Sequence, residues 1–409
     1  MLSLAALLVV ILLSCVTRLN VGFLAIALAW LLSLATGISS SIVLSGFPSS
    51  LFLTLVGVTL LFTQAEVNGT LEQLAHWITR LARGNAASIV ILFFLLSAFL
   101  STLGAGALPT AALAAPLAMG AASRAGISPF LMAVMVGNGA NAGNLSPLSP
   151  IGVIVDEQLI HLNLADAGWQ LYRNHLLAHV LISVVVLLAL GGLRVFRQPV
   201  TMPKEERSET RWTHWLTLAV IALLMTGVIF FKLPVGLAAF AAATVLTVAR
   251  AAPEEAVVAK MSWGVMVMVC GMSMLIAIVE RTGGLDLFTA AIARFSTPQT
   301  VTAVVAFVSG IVSAYSSTSG VVLPAFLPMA GKLVTQLGGG DVTSILSSIC
   351  LGSHLVDVSP LSTIGAICIA SAGTEVDRRV LFRQLMIWGL SMSFVGAIAS
   401  FLFFGVLFQ

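Results

Sequence analysis

Apolar runs alternate with short polar breaks along the whole chain, and two of those breaks fall inside a run rather than between runs. Residues 343–352 and 364–372 predict two half-helices, each too short to cross a hydrocarbon core of ~30 Å alone. Between them, Gly352–Gly365 (GSHLVDVSPLSTIG) carries His354, Asp357, Ser359, Ser362 and Thr363. Pro360 removes a backbone N–H there and pushes Ser359 out of the helical region. Unwound polar backbone at bilayer depth survives only where protein buries it or where it lines a cavity. The pattern occurs twice. Gly139–Gly152 (GANAGNLSPLSPIG) aligns with the later stretch at a constant shift of 213 residues. Asn141 then stands opposite His354, Asn144 opposite Asp357, Ser146 and Ser149 opposite Ser359 and Ser362, and Gly152 opposite Gly365. Two broken helices at matching places in two halves are the sequence mark of a carrier's binding site.

The surrounding elements fit that plan. Apolar runs predict helices over 3–17, 21–37 and 47–65, with an interfacial helix in 66–85. Runs 86–101 and 108–123 flank a glycine-rich tip, Thr102–Ala107, and predict a re-entrant hairpin. A broken span over 129–161 and a helix over 175–193 close the first half. The second half repeats the order: helices 213–231, 235–250 and 261–279, an amphipathic piece at 284–296, then a hairpin of 299–314 and 321–336 with its tip at Tyr315–Gly320. The broken span 343–372 and a last helix, 384–408, follow. The predicted fold is therefore an all-α polytopic membrane protein. It has two inverted-topology repeats, each with a re-entrant helical hairpin and a broken transmembrane helix. Segments 1–65 and 213–283 supply scaffold helices. Segment 66–195 holds hairpin one, broken helix one and the helix after it, 196–212 is a linker, and 284–409 holds their second-half counterparts.

Composition agrees: 59% of the 409 residues are hydrophobic and 9% charged, against about 25% charged in soluble domains. No soluble segment exceeds the 194–212 linker, which excludes an attached ATPase or receptor domain. Nothing in the chain reads as a nucleic-acid partner. The opening Met1–Val16 lacks a basic leader and reads as a first transmembrane helix rather than a cleaved signal peptide, although Leu12–Cys15 weakly resembles a lipoprotein cleavage site. Cys15, Cys270, Cys350 and Cys368 lie in apolar surroundings without metal or disulfide spacing and read as packing residues. No cofactor is expected. Lys and Arg positions set orientation. With the linker cytoplasmic, only Arg173, Lys232, Arg281, Arg294 and Lys332 of the 19 Lys and Arg residues fall outside. That assignment puts the hairpins on opposite faces and expects a bacterial-type inner membrane.

The candidate chemistry concentrates in the breaks. No Lys or Arg lies in the hairpin tips or the broken helices, so an anion there would meet half-helix and hairpin N-termini with free N–H groups. Hydroxyls of Ser316, Ser317, Thr318, Ser319, Ser146, Ser149, Ser359, Ser362 and Thr363, with amides of Asn138, Asn141 and Asn144, add donors. Small residues of this kind also serve close helix packing. The duplicated SPLS segments favour a site, since packing does not require broken helices in register. Asp357 is an intramembrane carboxylate, costly to bury and functional by default. Beside an anionic substrate it needs a sodium ion or proton, or else it makes a structural hydrogen bond. His354 reads equally as a substrate or proton ligand and as a satisfied structural histidine. Glu66 and Glu280 end matching spans and read as solvated or capping groups.

Gly46–Thr59 (GFPSSLFLTLVGVT), Val67–Leu71 (VNGTL) and Thr17–Gly22 (TRLNVG) resemble the MatC family of dicarboxylate (malonate-type) carriers. That family is similar to the divalent-anion/sodium symporters of the wider ion-transporter superfamily. The symporters carry a Ser-Asn-Thr signature at each hairpin tip. Here tip two reads Ser316-Ser317-Thr318, a partial match, and tip one reads Leu103-Gly104-Ala105-Gly106, which departs from it. The resemblance implies a small carboxylate substrate, a sodium or proton coupling ion, an elevator-type mechanism and a homodimer. The expected substrate residues are Asn141, Asn144, Ser146, Ser149, Ser316, Ser317, Thr318, His354, Ser359, Ser362 and Thr363. Asp357, Asn144, Gly104, Gly106, Ser316 and Ser319 are expected at the cation. A cation/proton antiporter or arsenite-type exporter of the same superfamily is the alternative. A membrane-embedded enzyme is disfavoured, because HExxH, GxSxG and paired intramembrane aspartates are absent from the sequence.

Overall fold

The computed structural model describes residues 1–17, 19–79, 84–191, 199–200, 209–373 and 375–407. Most of the predicted linker, and Arg18, Arg80 and Arg83 of the charge count, lie outside the described residues. The first half runs through α1 (Leu2–Val16), α2 (Val21–Thr36), α3 (Ser40–Ser45), α4 (Ser49–Val67) and α5 (Thr70–Thr79). Hairpin one is α6 (Ala86–Leu100), a π turn (Ser101–Ala105) and α7 (Ala107–Ala125). Broken helix one is α8 (Pro129–Ala142) and α9 (Pro150–His161), and α10 (Gly168–Val186) follows. In the second half come α11 (Trp212–Phe231), α12 (Val235–Val248), α13 (Glu254–Lys260), α14 (Trp263–Arg281) and α15 (Gly284–Ala293). Hairpin two opens with α16 (Val301–Tyr315) and returns through a π turn (Thr318–Val322), α17 (Leu323–Phe326), a 3-10 turn and α18 (Ala330–Leu337). Broken helix two is α19 (Val342–Leu355) and α20 (Thr363–Ala370), and α21 (Arg378–Ser400) ends the fold. The only strand pairing among the described residues is a two-residue ladder, Gly84–Asn85 with Pro199–Val200.

Seven helical stretches among the described residues are long and apolar enough to cross a membrane, so the chain is an all-helical integral membrane protein. The broken helices have a simple cause. α19 has 14 residues, about 21 Å at 1.5 Å per residue, and cannot span the core unaided. Asp341 starts it, its carboxylate accepting from the Ser344 N–H at 2.7 Å, and Pro360 forbids its continuation.

The return arm of hairpin two, expected over 321–336, is one helical stretch, Thr318–Leu337, whose winding changes locally around Pro324 and Pro328, each of which lacks an N–H. Two predicted elements need correction. α10 begins at Gly168 rather than 175, because its first turns carry Trp169, Gln170, Arg173 and Asn174 and read as polar. α13 was not anticipated. Its seven residues, started by Pro253 and two glutamates, are too few to show a helical period.

The scaffold helices cross between halves, α2 on α14 and α4 on α12. Glycines make both crossings possible. A Cβ at Gly271 would lie 2.3 Å from the Gly22 carbonyl oxygen, and one at Gly57 would lie 2.6 Å from that of Gly236. Small residues let backbones approach where lipid supplies no hydrophobic drive. Apolar side chains gather in two large cores. One surrounds hairpin one with α4, α8, α11 and α12, and the other surrounds hairpin two with α1, α2 and α14. The hairpin tips and the broken helices meet between them.

Candidate functional site

That meeting place is a cavity of about 440 Å³, lined by Gly104–Pro109 of hairpin one, Tyr315–Ser319 of hairpin two and residues of both broken helices. Each broken helix is tied to the tip of its own hairpin. In the second half Asp357 Oδ1 accepts from the Thr318 hydroxyl at 2.7 Å and from the Ser313 hydroxyl at 3.4 Å. Ser313 also donates to the Ser353 carbonyl at 2.8 Å and lies 2.5 Å from the Thr318 hydroxyl. In the first half Asn144 Oδ1 accepts from the Ala107 N–H at 3.0 Å, capping α7. Equivalent turns thus hold equivalent tips, one through a carboxyl group and one through an amide.

Of the expected residues, Gly104, Gly106, Asn144, Ser316, Ser317, Thr318, Ser319, His354, Asp357, Ser362 and Thr363 line this cavity. The glycines of tip one have φ of +120° at Gly104 and +77° at Gly106, a region that side chains rarely adopt. Gly104 is also packed too tightly for a Cβ, which would stand 2.2 Å from the Phe62 ring. Tip one is glycine-rich for shape and offers no side-chain ligand. At tip two the Ser317 hydroxyl accepts from the Gly320 N–H at 3.1 Å, while the buried Ser316 hydroxyl has no partner.

The SPLS serines do something other than expected. Ser149 caps α9, accepting from the Gly152 N–H at 3.0 Å and donating to the Asn144 carbonyl. Ser362 repeats both bonds, accepting from the Gly365 N–H at 3.4 Å and donating to the Asp357 carbonyl. Ser146 and Ser359 accept from Leu148 and Leu361 N–H groups at 3.3 and 3.4 Å. Gly152 and Gly365 press against the turn, where a Cβ would come within 1.9 and 2.1 Å of the Ser146 and Ser359 carbonyl oxygens. The duplicated motif therefore encodes a capped turn. Ser146, Ser149 and Ser359 are buried in it and do not reach the cavity. Asn141 also sits behind the wall, its amide donating to the His354 carbonyl at 3.1 Å.

Two features escaped the sequence. Ser313 is one hydroxyl in the apolar run of α16 and gives no pattern to notice. Lys260, at the end of α13, lines the cavity and pairs with Glu66 at 2.9 Å. The cavity wall thus holds a Lys260–Glu66 ion pair as well as helix ends, so Glu66 is neither simply solvated nor a cap, and a lysine stands where the tips and broken helices alone offered none. Three N-terminal helix turns also open onto the cavity, those of α7 at Ala107–Leu108, α9 at Pro150–Ile151 and α20 at Thr363–Ile364.

The fold is similar to that of the YdaH transporter of Alcanivorax borkumensis, at TM-score 0.59 and 13% identity over 89% of this chain and 87% of that one. It is also similar to MtrF of Neisseria gonorrhoeae, described with a class of antimetabolite efflux pumps, at TM-score 0.57 and 14% identity over 91% and 83%. No curated protein sequence matches the chain. Residues 1–144 match the family described as dicarboxylate carrier protein MatC N-terminus, which bears out the resemblance seen in Gly46–Thr59 and its neighbours.

Proposed function

We propose that the protein is a secondary carrier of small carboxylates, malonate or C4-dicarboxylate-like, coupled to sodium ions or protons. The observation that carries this reading is the convergence of three helix N-termini and the Ser316–Ser319 hydroxyls on one cavity. Capping by Asn144, Ser149 and Ser362 leaves the first-turn N–H groups of Leu108, Ile151, Thr363 and Ile364 for a ligand, together with the partial positive charge of each helix end. A volume of about 440 Å³ lies in the range of about 300–1,000 Å³ usual for small-molecule sites. Lys260 is the single cation among the described lining residues; it is paired with one lining carboxylate, Glu66, and Asp357 is the other.

In this reading Asp357 and the tip of hairpin two hold the coupling cation. Asn144 marks a weaker counterpart, because its side-chain oxygen is already committed to Ala107. The paired crossings α2–α14 and α4–α12 support two inverted repeats in a fixed scaffold, with the hairpins and broken helices moving against it in an elevator-type cycle. The MatC resemblance further supports a homodimer, and the distribution of Lys and Arg supports a bacterial-type inner membrane with the linker cytoplasmic.

Uptake of labelled malonate and succinate into proteoliposomes, with sodium and pH gradients imposed separately, tests the reading. Accumulation under either gradient is the expected outcome. Failure to move any carboxylate, together with cation-for-proton exchange, would instead make it an antiporter.

A further inference from the structure

Behind the cavity wall lies a polar track that the carboxylate site does not use. His354 lines the cavity, and its ring centroid is 5.0 Å from that of His175, which is 4.5 Å from that of His179. All three side chains are buried, at 0%, 3% and 0% exposure. His175, His179 and Ser183 stand four residues apart on one face of α10. The track therefore extends about 12 Å along that helix.

Backbone carbonyls determine the tautomers. A carbonyl only accepts, so His354 carries its proton on Nδ1, which bonds the Cys350 oxygen at 2.7 Å. His175 carries its proton on Nε2, facing the Asn141 oxygen at 3.1 Å. Each ring is left with one bare lone pair, at His354 Nε2 and His175 Nδ1, and neither has a partner. Both nitrogens of His179, the Ser183 hydroxyl, and the side-chain oxygen of Asn141 are likewise unpartnered. Buried polar atoms normally find partners, and ionisable side chains kept inside a membrane bundle mark ion paths and proton relays.

The geometry points to a proton site: His354, His175 and His179 together take up one proton as a carboxylate binds and pass it along α10, making the proton a coupling ion. This rests on the carboxylate-carrier reading and names its ion. A proton from cavity water bonds to the lone pair of His354 Nε2 and leaves hydroxide to the bulk buffer. It moves to His175 Nδ1 and then to His179, each ring returning to neutral as the next is charged. One proton taken up cancels one carboxylate charge brought in. Within the elements packed on the track, the other titratable groups are Asp357 on the turn after α19, Cys350 on α19, Tyr172 on α10, Asp156 of α9 beside Gly168, Glu157 and His161 of α9, which lie 3.7 Å apart, and Asp166 on the turn before α10. Tyr172 is engaged with the Thr102 hydroxyl at 2.9 Å, Arg173 of α10 is exposed, and α8 contributes only the amides of Asn138 and Asn141, with Asn144 on the turn after it. No three-residue His, Cys, Asp or Glu grouping among the described residues has an arrangement that could hold a metal.

The test uses the full-length carrier, with labelled malonate and succinate as probes. Proton uptake on malonate binding is read by a pH dye in weakly buffered detergent, and pH-driven accumulation is compared with counterflow in proteoliposomes. Wild type is expected to take up about one proton per malonate bound. His175→Gln and His179→Gln are expected to abolish that uptake and to lower the ratio of pH-driven accumulation to counterflow at least tenfold. A melting curve for each variant identifies one that has failed to fold, and the other then decides. Wild-type counterflow with sodium-driven accumulation and no proton uptake overturns the inference while leaving the carrier reading intact. An unchanged ratio in both folded variants overturns it as well. Absence of counterflow for any carboxylate in wild type is the separate outcome that removes the carrier reading and this inference with it.

Discussion

Asp357 and Asn144 occupy equivalent turns and hold equivalent hairpin tips, yet one does so through a carboxyl group and the other through an amide. Asp357 could be found from sequence because a carboxylate inside an apolar run is costly and rare. His354, Asn144 and the Ser316–Ser319 tip were legible for a related reason, as polar groups at breaks in helices. Ser313 and Lys260 were not, one hidden in an apolar helix and the other on a helix too short to show a period. In Asp357→Asn the acceptor of the Thr318 hydroxyl loses its charge. Hydrogen bonds to a charged group contribute about 1.5–3 kcal/mol, so driven uptake should fall by roughly 10–100-fold. Its dependence on the driving cation should weaken as well. Uptake measured against sodium and pH checks this, and wild-type cation dependence in the variant would remove Asp357 from the coupling machinery. The Asn144→Asp change retains the cap on Ala107 and should leave a folded carrier with altered cation dependence.

At the scale of elements, the duplicated SPLS turns show how a motif can be read correctly in place and wrongly in purpose. Serine, proline and glycine inside an apolar run signal a break whether the hydroxyl faces a ligand or caps the next half-helix. Only the geometry separates the two, placing the Ser149 and Ser362 hydroxyls on the N–H groups of Gly152 and Gly365. Ser149→Ala should cost about 1 kcal/mol, as loss of an N-cap does, and should lower the melting temperature in detergent. Its KM for carboxylate should stay within about twofold, because Ser149 does not reach the cavity. A tenfold rise in KM at unchanged stability would return Ser149 to the substrate site.

At the scale of the molecule, the order of helices, hairpins and breaks could be read along the chain, but the way the halves interlock could not. Nothing in a single sequence pairs Gly22 with Gly271 or Gly57 with Gly236, since the partners lie far apart in the chain. The two crossings are alike in kind, each a glycine backbone against the opposite half's helix. They hold the two apolar cores side by side, with the cavity between. A side chain at either crossing must push two helices apart, and overpacking of a well-packed contact costs typically about 1–3 kcal/mol. Gly57→Val and Gly271→Val should therefore lower both the melting temperature and the yield of monodisperse protein. Gly120→Ala is the matched control, since a Cβ there meets nothing nearer than the Arg124 guanidinium at 3.7 Å, and alanine in a helix is favoured over glycine. It should melt at or above the wild-type temperature. If the crossings act as the fixed frame of a carrier, the valine variants that do fold should lose transport in proportion to lost folded protein. Loss of turnover in fully folded protein would show that α2 and α14, or α4 and α12, slide against each other during the cycle.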